Sequence, residues 1–344
     1  MFPEPSTVSD SPDILYPWHQ SCWRRFRQQV VNDKRPHALM LSGQRGIGKS
    51  DFARLLAHSV LCIDSGDGFP CGHCRSCQLN QAHTHPDLLL IAPEKPGGFI
   101  RIDQVRQLNE FVNKTSQQGH AKVVVLEPLE ALNLHASNAL LKTLEEPAGD
   151  TLLLLITHMP STVIATIRSR CQILAMTAPN RQQFTEWLTG LQLDRDSVGR
   201  AQQWLNLAAG SPLMAKSMAM SDYSSQVNSF IAGLETLQRE HSSIKVAAQW
   251  LDIELPDILS WWLQVIYLLT KRRFIDSDVT DQTASDDILK PLYSCYGHYA
   301  LDGLFGFSDR LLQLKQQLHT GANVNKQLLL EELLLDWYRL ERTR

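Results

Sequence analysis

The sequence predicts a mixed architecture: an α/β domain built on a parallel sheet, then a small helical lid, then a C-terminal all-helical domain. Three observations predict it. Short Val/Ile/Leu runs alternate with helical patterns up to about residue 176, as in a parallel sheet covered by helices on both faces. The alternation stops near Ala178–Asn180, and only helical periodicity follows. Between the first apolar run and the next helix lies "GQRGIGKS", a phosphate-cradling loop where such a loop belongs.

Taken in order, Pro17 to Asn32 reads as an amphipathic helix around Trp18, Trp23, Phe26 and Val30. "HALMLS" (His37–Ser42) suits a buried strand, and Ser50 to Leu61 has helical periodicity. "DLLLIAP" (Asp87–Pro93) is strand-like. Asp103 caps a predicted helix through about Lys114, with Val105, Leu108 and Val112 on one face. "KVVVLEP" is the next buried strand, and "SNALLKTLEEP" is a helix that must stop near Pro147. "TLLLLIT" is a strand, "STVIATIRSRC" a short helix and "QILAM" a final strand. Helical segments follow at Arg181–Leu191, Ser197–Ala208 and Pro212–Met220, then a predicted linker, "MSDYSS". From about Gln226 the chain is long and apolar-rich, ending in "KQLLLEELLLDWYRL". The expected boundaries are 1–178, with a cysteine module at about 62–83, then 179–221 and 222–344.

The 344 residues include 33 basic and 36 acidic ones, a net charge of −3. That argues against a surface that is basic throughout, although a local basic strip is compatible with it. No apolar run approaches the ~20 residues that span a bilayer. The polar, proline-rich start "MFPEPSTVSDSPDILYPW" does not read as a secretory signal. A cytoplasmic, reducing location is therefore expected, with no membrane contact.

Gly43, Gly46, Gly48, Lys49 and Ser50 supply the phosphate loop. Backbone N–H groups and the helix N-terminus face the phosphates, Lys49 reaches them, and the Ser50 hydroxyl ligates Mg²⁺. Two readings stay open: ATP or ADP held with Mg²⁺, and a strand–helix turn that binds nothing. Turnover needs further groups. Glu127 stands where the metal-side acid belongs, but Pro128 follows it and has no carboxylate to polarise water. Glu130 lies three residues on, and its bland reading is a solvated carboxylate. Thr157 ends a strand, where it either contacts a γ-phosphate or caps the next loop.

Four of the seven cysteines, Cys62, Cys71, Cys74 and Cys77, fall within sixteen residues. Paired C-x₂-C steps turn the chain around a tetrahedral ion, and four thiolates suit Zn²⁺ in a closed structural site. An iron–sulfur cluster and free thiols are the alternatives. "IDSGDGFP" is too polar and glycine-rich to fold unaided, so metal binding supplies the folding free energy of this insert. His73, His83 and His85 lie nearby as substitute ligands.

"CGHCRSCQ", "THPDLLLIAPEK", "SNALLKTLEEP" and "IRSRC", in this order after a phosphate loop, resemble the bacterial clamp-loader branch of the AAA+ ATPases. The resemblance is strong over about residues 15–220 and looser beyond. It implies a RecA-like AAA+ domain with a zinc-binding insert, a helical lid and a helical collar for oligomerisation. It also implies partners: gamma/tau-type motor subunits, a delta-type subunit, the sliding clamp, and primed DNA in the assembled complex. Motor subunits carry Asp-Glu where this chain has Glu127-Pro128, and a lid arginine where "GSPLMA" places Leu213. The family's Ser-Arg-Cys motif is kept as Ser169-Arg170-Cys171, and its arginine reaches a neighbour's ATP. The resemblance thus implies a non-hydrolysing, stator-like subunit with no ATPase activity on its own, offering Arg170 in trans. The alternatives are an active gamma/tau-type motor in which Glu127 or Glu130 substitutes, and an unrelated zinc-containing ATPase acting on nucleic acid. "WRRFRQQ" and "TKRRF" are basic–aromatic clusters, read as solvated helix faces with DNA contact as the rival. The last helix is apolar around much of its girth, which suits a domain core or a partner.

Overall fold

Why the apolar runs become strands is visible in their burial. In the computed structural model, which describes residues 13–95, 97–118, 121–220, 223–274, 291–319 and 325–340, five runs form one sheet. They are β1 (Ala38–Ser42), β2 (Leu88–Ile91), β3 (Lys122–Leu126), β4 (Thr151–Thr157) and β5 (Gln172–Ala175). The sheet is parallel throughout, ordered β2-β3-β4-β1-β5. The central strands β1, β3 and β4 are buried at every position. That is why they lack polar alternation: helices cover both faces.

Alternate residues feed two cores. Leu39, Leu41, Val123, Val125, Leu154 and Ile156 pack against α1 (Gln20–Val31) and α2 (Lys49–Leu61). Met40, Val124, Leu126, Leu153 and Leu155 pack against α4 (Ile102–Asn113) and α5 (Leu134–Glu145). Between α2 and β2 lies α3 (Arg75–Gln81), and α6 (Ala165–Arg168) precedes β5. The α/β class on a parallel sheet expected from the sequence is the class observed.

Some local expectations need correction. Asp103 does not cap α4. The helix starts two residues earlier, with Arg101 as its cap, because the Gln104 Oε1 accepts the Arg101 N–H at 3.0 Å, and Asp103 lies in the first turn paired with Arg106 at 2.9 Å. The helix α3 has no counterpart in the sequence reading; the Cys74 sulfur accepts the Cys77 N–H and starts it. The linker "MSDYSS" is nearly absent as such. Helix α9 (Pro212–Met220) runs through Met220 and α10 (Tyr223–Glu240) begins with Tyr223, leaving two residues that lie outside the described ones. Tyr223 is buried and its hydroxyl donates to Asp257, so it belongs to the helical packing.

The chain divides into two compact units, Val8–Gln183 and Phe184–Arg344. The second comprises α7 (Arg181–Gly190), most of which it holds, α8 (Arg195–Trp204), α9, α10, α11 (Ser243–Gln249), α12 (Leu255–Phe274), α13 (Leu301–His319) and α14 (Lys326–Arg339). One apolar core runs from Phe184 to Trp337, with Trp250, Trp261, Trp262 and Trp337 fully buried. Gly233 permits a close approach in it: a Cβ there would lie 2.5 Å from the Trp250 Nε1. The last helix buries Leu329, Leu330, Leu333, Leu334 and Trp337 in this core and exposes Leu328 and Leu335. No helix among the described residues is long and apolar enough to cross a membrane.

Candidate functional site

The phosphate loop leaves the carboxyl end of β1, where parallel sheets bind ligands. Its glycines are required by geometry. A Cβ at Gly43 would meet the Met176 carbonyl oxygen at 2.4 Å, and Gly46 and Gly48 have φ of 78° and 86°. Gly48 caps α2, so the helix N-terminus opens on the loop. An aromatic bracket that the sequence reading missed holds the loop from behind. Tyr16 stacks on Trp18 at 4.9 Å, Trp18 Nε1 donates to the Ile47 carbonyl at 2.9 Å, and Tyr16 Oη donates to Asp51 at 2.9 Å. The signal was available as "YPWH", an aromatic cluster just before the first helix.

Lys49 is buried, and its Nζ donates to the carbonyls of Gly43 at 2.7 Å and Gln44 at 2.6 Å. Burial lowers its ammonium to about 8, against the upward pull of Glu127 and Glu130. The Ser50 hydroxyl donates to Glu127 Oε1 at 2.6 Å. Burial raises the Glu127 carboxyl, and Ser50 and Lys49 oppose the rise. The serine and the acid expected on the metal side are thus in contact, an arrangement that suits Mg²⁺ beside bound phosphates.

The residues around this pair are otherwise engaged. Glu130 Oε1 accepts the His158 N–H at 3.0 Å. His158 sits 3.8 Å from Glu127 and is held neutral, lowered to about 3 by burial and then by Lys49 and Arg45. Thr157 is fully buried, and its hydroxyl accepts the Met159 N–H at 3.2 Å, which is the loop-capping arrangement. Pro128 offers nothing to a water. Gly43, Gly46, Gly48, Lys49, Ser50 and Thr157 therefore gather at one sheet edge, in a cradle that can hold phosphates and a divalent ion.

Arg170 is not among them. It follows α6, where Nη1 donates to the Thr166 carbonyl at 3.0 Å and to Ser169 Oγ at 3.4 Å. Its Nη2 meets Glu145 Oε1 at 2.6 Å, with the arginine side chain 35% exposed. Of the basic–aromatic clusters, Arg24 and Arg25 are exposed, whereas Arg272 lies 4.3 Å over the Tyr293 ring and Arg273 donates to the Gly297 carbonyl.

Cys62, Cys71, Cys74 and Cys77 come together with all four sulfurs within 4.8 Å of one another. The Cys62–Cys74 and Cys71–Cys77 separations are 3.9 Å. Tetrahedral thiolates at a Zn–S bond of about 2.3 Å would stand roughly 3.8 Å apart, so the donor set fits that ion. Backbone N–H groups of Cys71, Cys74 and Cys77 donate to the sulfurs of Cys62, Cys71 and Cys74. Burial raises the Cys74 thiol, but N–H and S–H donors outweigh it and bring it to about 6. Two of the three substitute histidines are otherwise occupied. His85 Nε2 donates to Ser76 Oγ at 2.7 Å while its Nδ1 accepts the Asp87 N–H, and His73 bonds the Cys71 carbonyl.

Residues 18–180 match the family described as DNA polymerase III, delta subunit, and residues 222–339 match its C-terminal family. The chain is 36% identical to the DNA polymerase III subunit delta prime of Pseudomonas aeruginosa, across 95% of its own length and 98% of that protein. It is 30% identical to the Escherichia coli protein of the same name, across 93% and 94%. It also resembles the solved structure of a DNA polymerase III gamma subunit-related protein from Thermotoga maritima, with TM-score 0.44 and 17% identity over 91% of this chain and 98% of the other. An identity of this size along nearly the whole length places the chain in the family of DNA polymerase III delta prime subunits.

Proposed function

We propose that this protein is a non-hydrolysing, stator-like subunit of the bacterial clamp loader. In this reading it works in the cytoplasm with gamma/tau-type motor subunits and a delta-type subunit to place the sliding clamp on primed DNA. The observation that carries the proposal is the cradle itself. Ser50 and Glu127 are paired as a metal site needs, yet Pro128 stands where a base is required, and Glu130 is turned onto the His158 backbone. The loop then holds ATP or ADP with Mg²⁺ and does not turn it over. The full delta prime relatives and the clamp-loader motifs support the assembly role. The lid at 179–221, the collar at 222–344 and Zn²⁺ as a structural ion in the thiol cluster belong to the same reading.

Arg170 is the residue assigned to the neighbour's ATP, where a cation neutralises charge developing in the transition state. The purified chain is expected to show no ATP turnover, with or without primed DNA. In the reconstituted complex, Arg170→Ala is expected to lower ATP turnover by about 10³-fold at the site it serves. Turnover by the isolated chain that Lys49→Ala abolishes would instead identify a motor of the gamma/tau type.

A further inference from the structure

Glu145 is the last residue of α5, within "LLKTLEEP", and neither the nucleotide cradle nor the thiol cluster uses it. Its carboxylate meets the Arg170 guanidinium at 2.6 Å. From this contact we infer that Glu145 is the positioning residue for Arg170: it sets the direction in which the guanidinium is presented. The inference rests on the proposed role of Arg170 in trans.

An arginine carries five N–H donors. Three have acceptors here: two on Nη1, to the Thr166 carbonyl and Ser169 Oγ, and one on Nη2, to Glu145. The Nε–H and one Nη2–H remain for a phosphate. Thr166 and Ser169 belong to the arginine's own short helix and turn, so they restrain it only locally. Glu145 is the sole anchor among the described residues that comes from another element. That element is rigid. Helix α5 is capped by Asn133, whose side chain accepts the Ala136 N–H at 2.8 Å, and Leu140 and Leu144 share a core with Val163 and Ile167 beside α6. Cation and helix are also matched, because the carboxyl end of α5 favours a positive charge.

The pair is half exposed, and exposed pairs of this kind contribute little to stability. Its value lies in orientation. A long, flexible side chain loses rotamer freedom when a distant charge must be met, and prior anchoring removes that cost from the transition state. Helix α5 also begins directly after the loop bearing Glu127 and Glu130. One rod of twelve residues thus joins the acid side of this chain's own cradle to the arginine it presents.

The test uses the clamp-loader complex reconstituted with this chain and assayed for ATP turnover on primed DNA. Five forms are compared: wild type, Arg170→Ala, Glu145→Ala, the double variant, and Glu145→Gln as a milder replacement. Thermal midpoints and subunit assembly are measured for each. The expected result is a fall in kcat of about tenfold for Glu145→Ala, with KM unchanged. Glu145→Gln should fall in between, and the double variant should be no slower than Arg170→Ala. A Glu145 effect that does not run through Arg170 would give additive losses, and additivity overturns the inference. So does wild-type or faster turnover in Glu145→Ala while Arg170→Ala is slow. If Arg170→Ala itself is unimpaired, the role of Arg170 fails and this inference with it, so the two failures are distinguishable.

Discussion

Lys49 carries the chemistry of the phosphate loop, and its surroundings make that chemistry pH-sensitive. The side chain is 2% exposed, and burial lowers its ammonium from 10.5 to about 8. At pH 7 it is charged, as phosphate binding requires. Above pH 8 the free protein holds it neutral, so nucleotide binding must take up a proton. Affinity should then be flat below about pH 7 and weaken by up to roughly tenfold per pH unit above 8. Calorimetric titration of ADP with Mg²⁺ at pH 7, 8 and 9 checks this, with Lys49→Met as the control that loses the slope. A flat wild-type profile would mean that the ammonium stays on the Gly43 and Gln44 carbonyls when ligand is present. Arg170 shows the opposite situation, a half-exposed side chain met by a carboxylate from another element.

At the scale of elements, helix α2 links two sites. It starts at Lys49 and Ser50 in the phosphate loop and ends at Leu61, with the thiol ligand Cys62 next, its N–H bonded to the His58 carbonyl. Ser59 and Ser76 tie the cysteine module to this helix through Gly68 and Leu61. Helix α3 has seven residues, too short to persist without support. In the proposed zinc reading an ion bound by the four thiols supplies that support, so its removal should unfold the insert and fray the end of α2. One metal ion per chain is expected by elemental analysis. Chelation, or Cys74→Ser, should lower the thermal midpoint of the Val8–Gln183 unit by roughly 5 °C or more. An unchanged midpoint after complete metal loss would make the cluster dispensable.

For the whole molecule, the decisive fact is the presence of two units with cores of their own. The helical unit centres on Trp262 and Trp337, whose rings lie 5.6 Å apart, with Phe307 at 5.2 Å from each. Trp337→Ala should therefore cost about 3–5 kcal/mol, through lost burial and the cavity left behind. The loss should fall on the unfolding transition of the helical unit, while metal content and nucleotide affinity stay at wild-type values. Denaturant titration followed by circular dichroism, with metal content measured in parallel, separates the two outcomes. Metal loss along with the helical transition would contradict independent cores.

What the sequence by itself determined was whatever rests on local chemistry. Apolar runs named the five strands, most plainly β1, β3 and β4, which are covered on both faces and so have no polar alternation. The loop motif placed Lys49 and Ser50 at a strand–helix turn, and the C-x₂-C spacing gathered four thiols. Element ends were less legible: Asp103 looked like a cap, but the side chain of Gln104 decided the start of α4. Helix α3 was hidden because its seven residues are shaped by sulfur acceptors rather than by apolar periodicity. Only the tertiary structure decided which distant groups meet. Glu127 reaches Ser50, Tyr16 and Trp18 brace the loop, and Glu145 meets Arg170 because separate helices and strands end at the same place. Those pairings depend on the packing of α2 against β3 on one face of the sheet and of α5 against α6 on the other, and no local spacing in the chain encodes them.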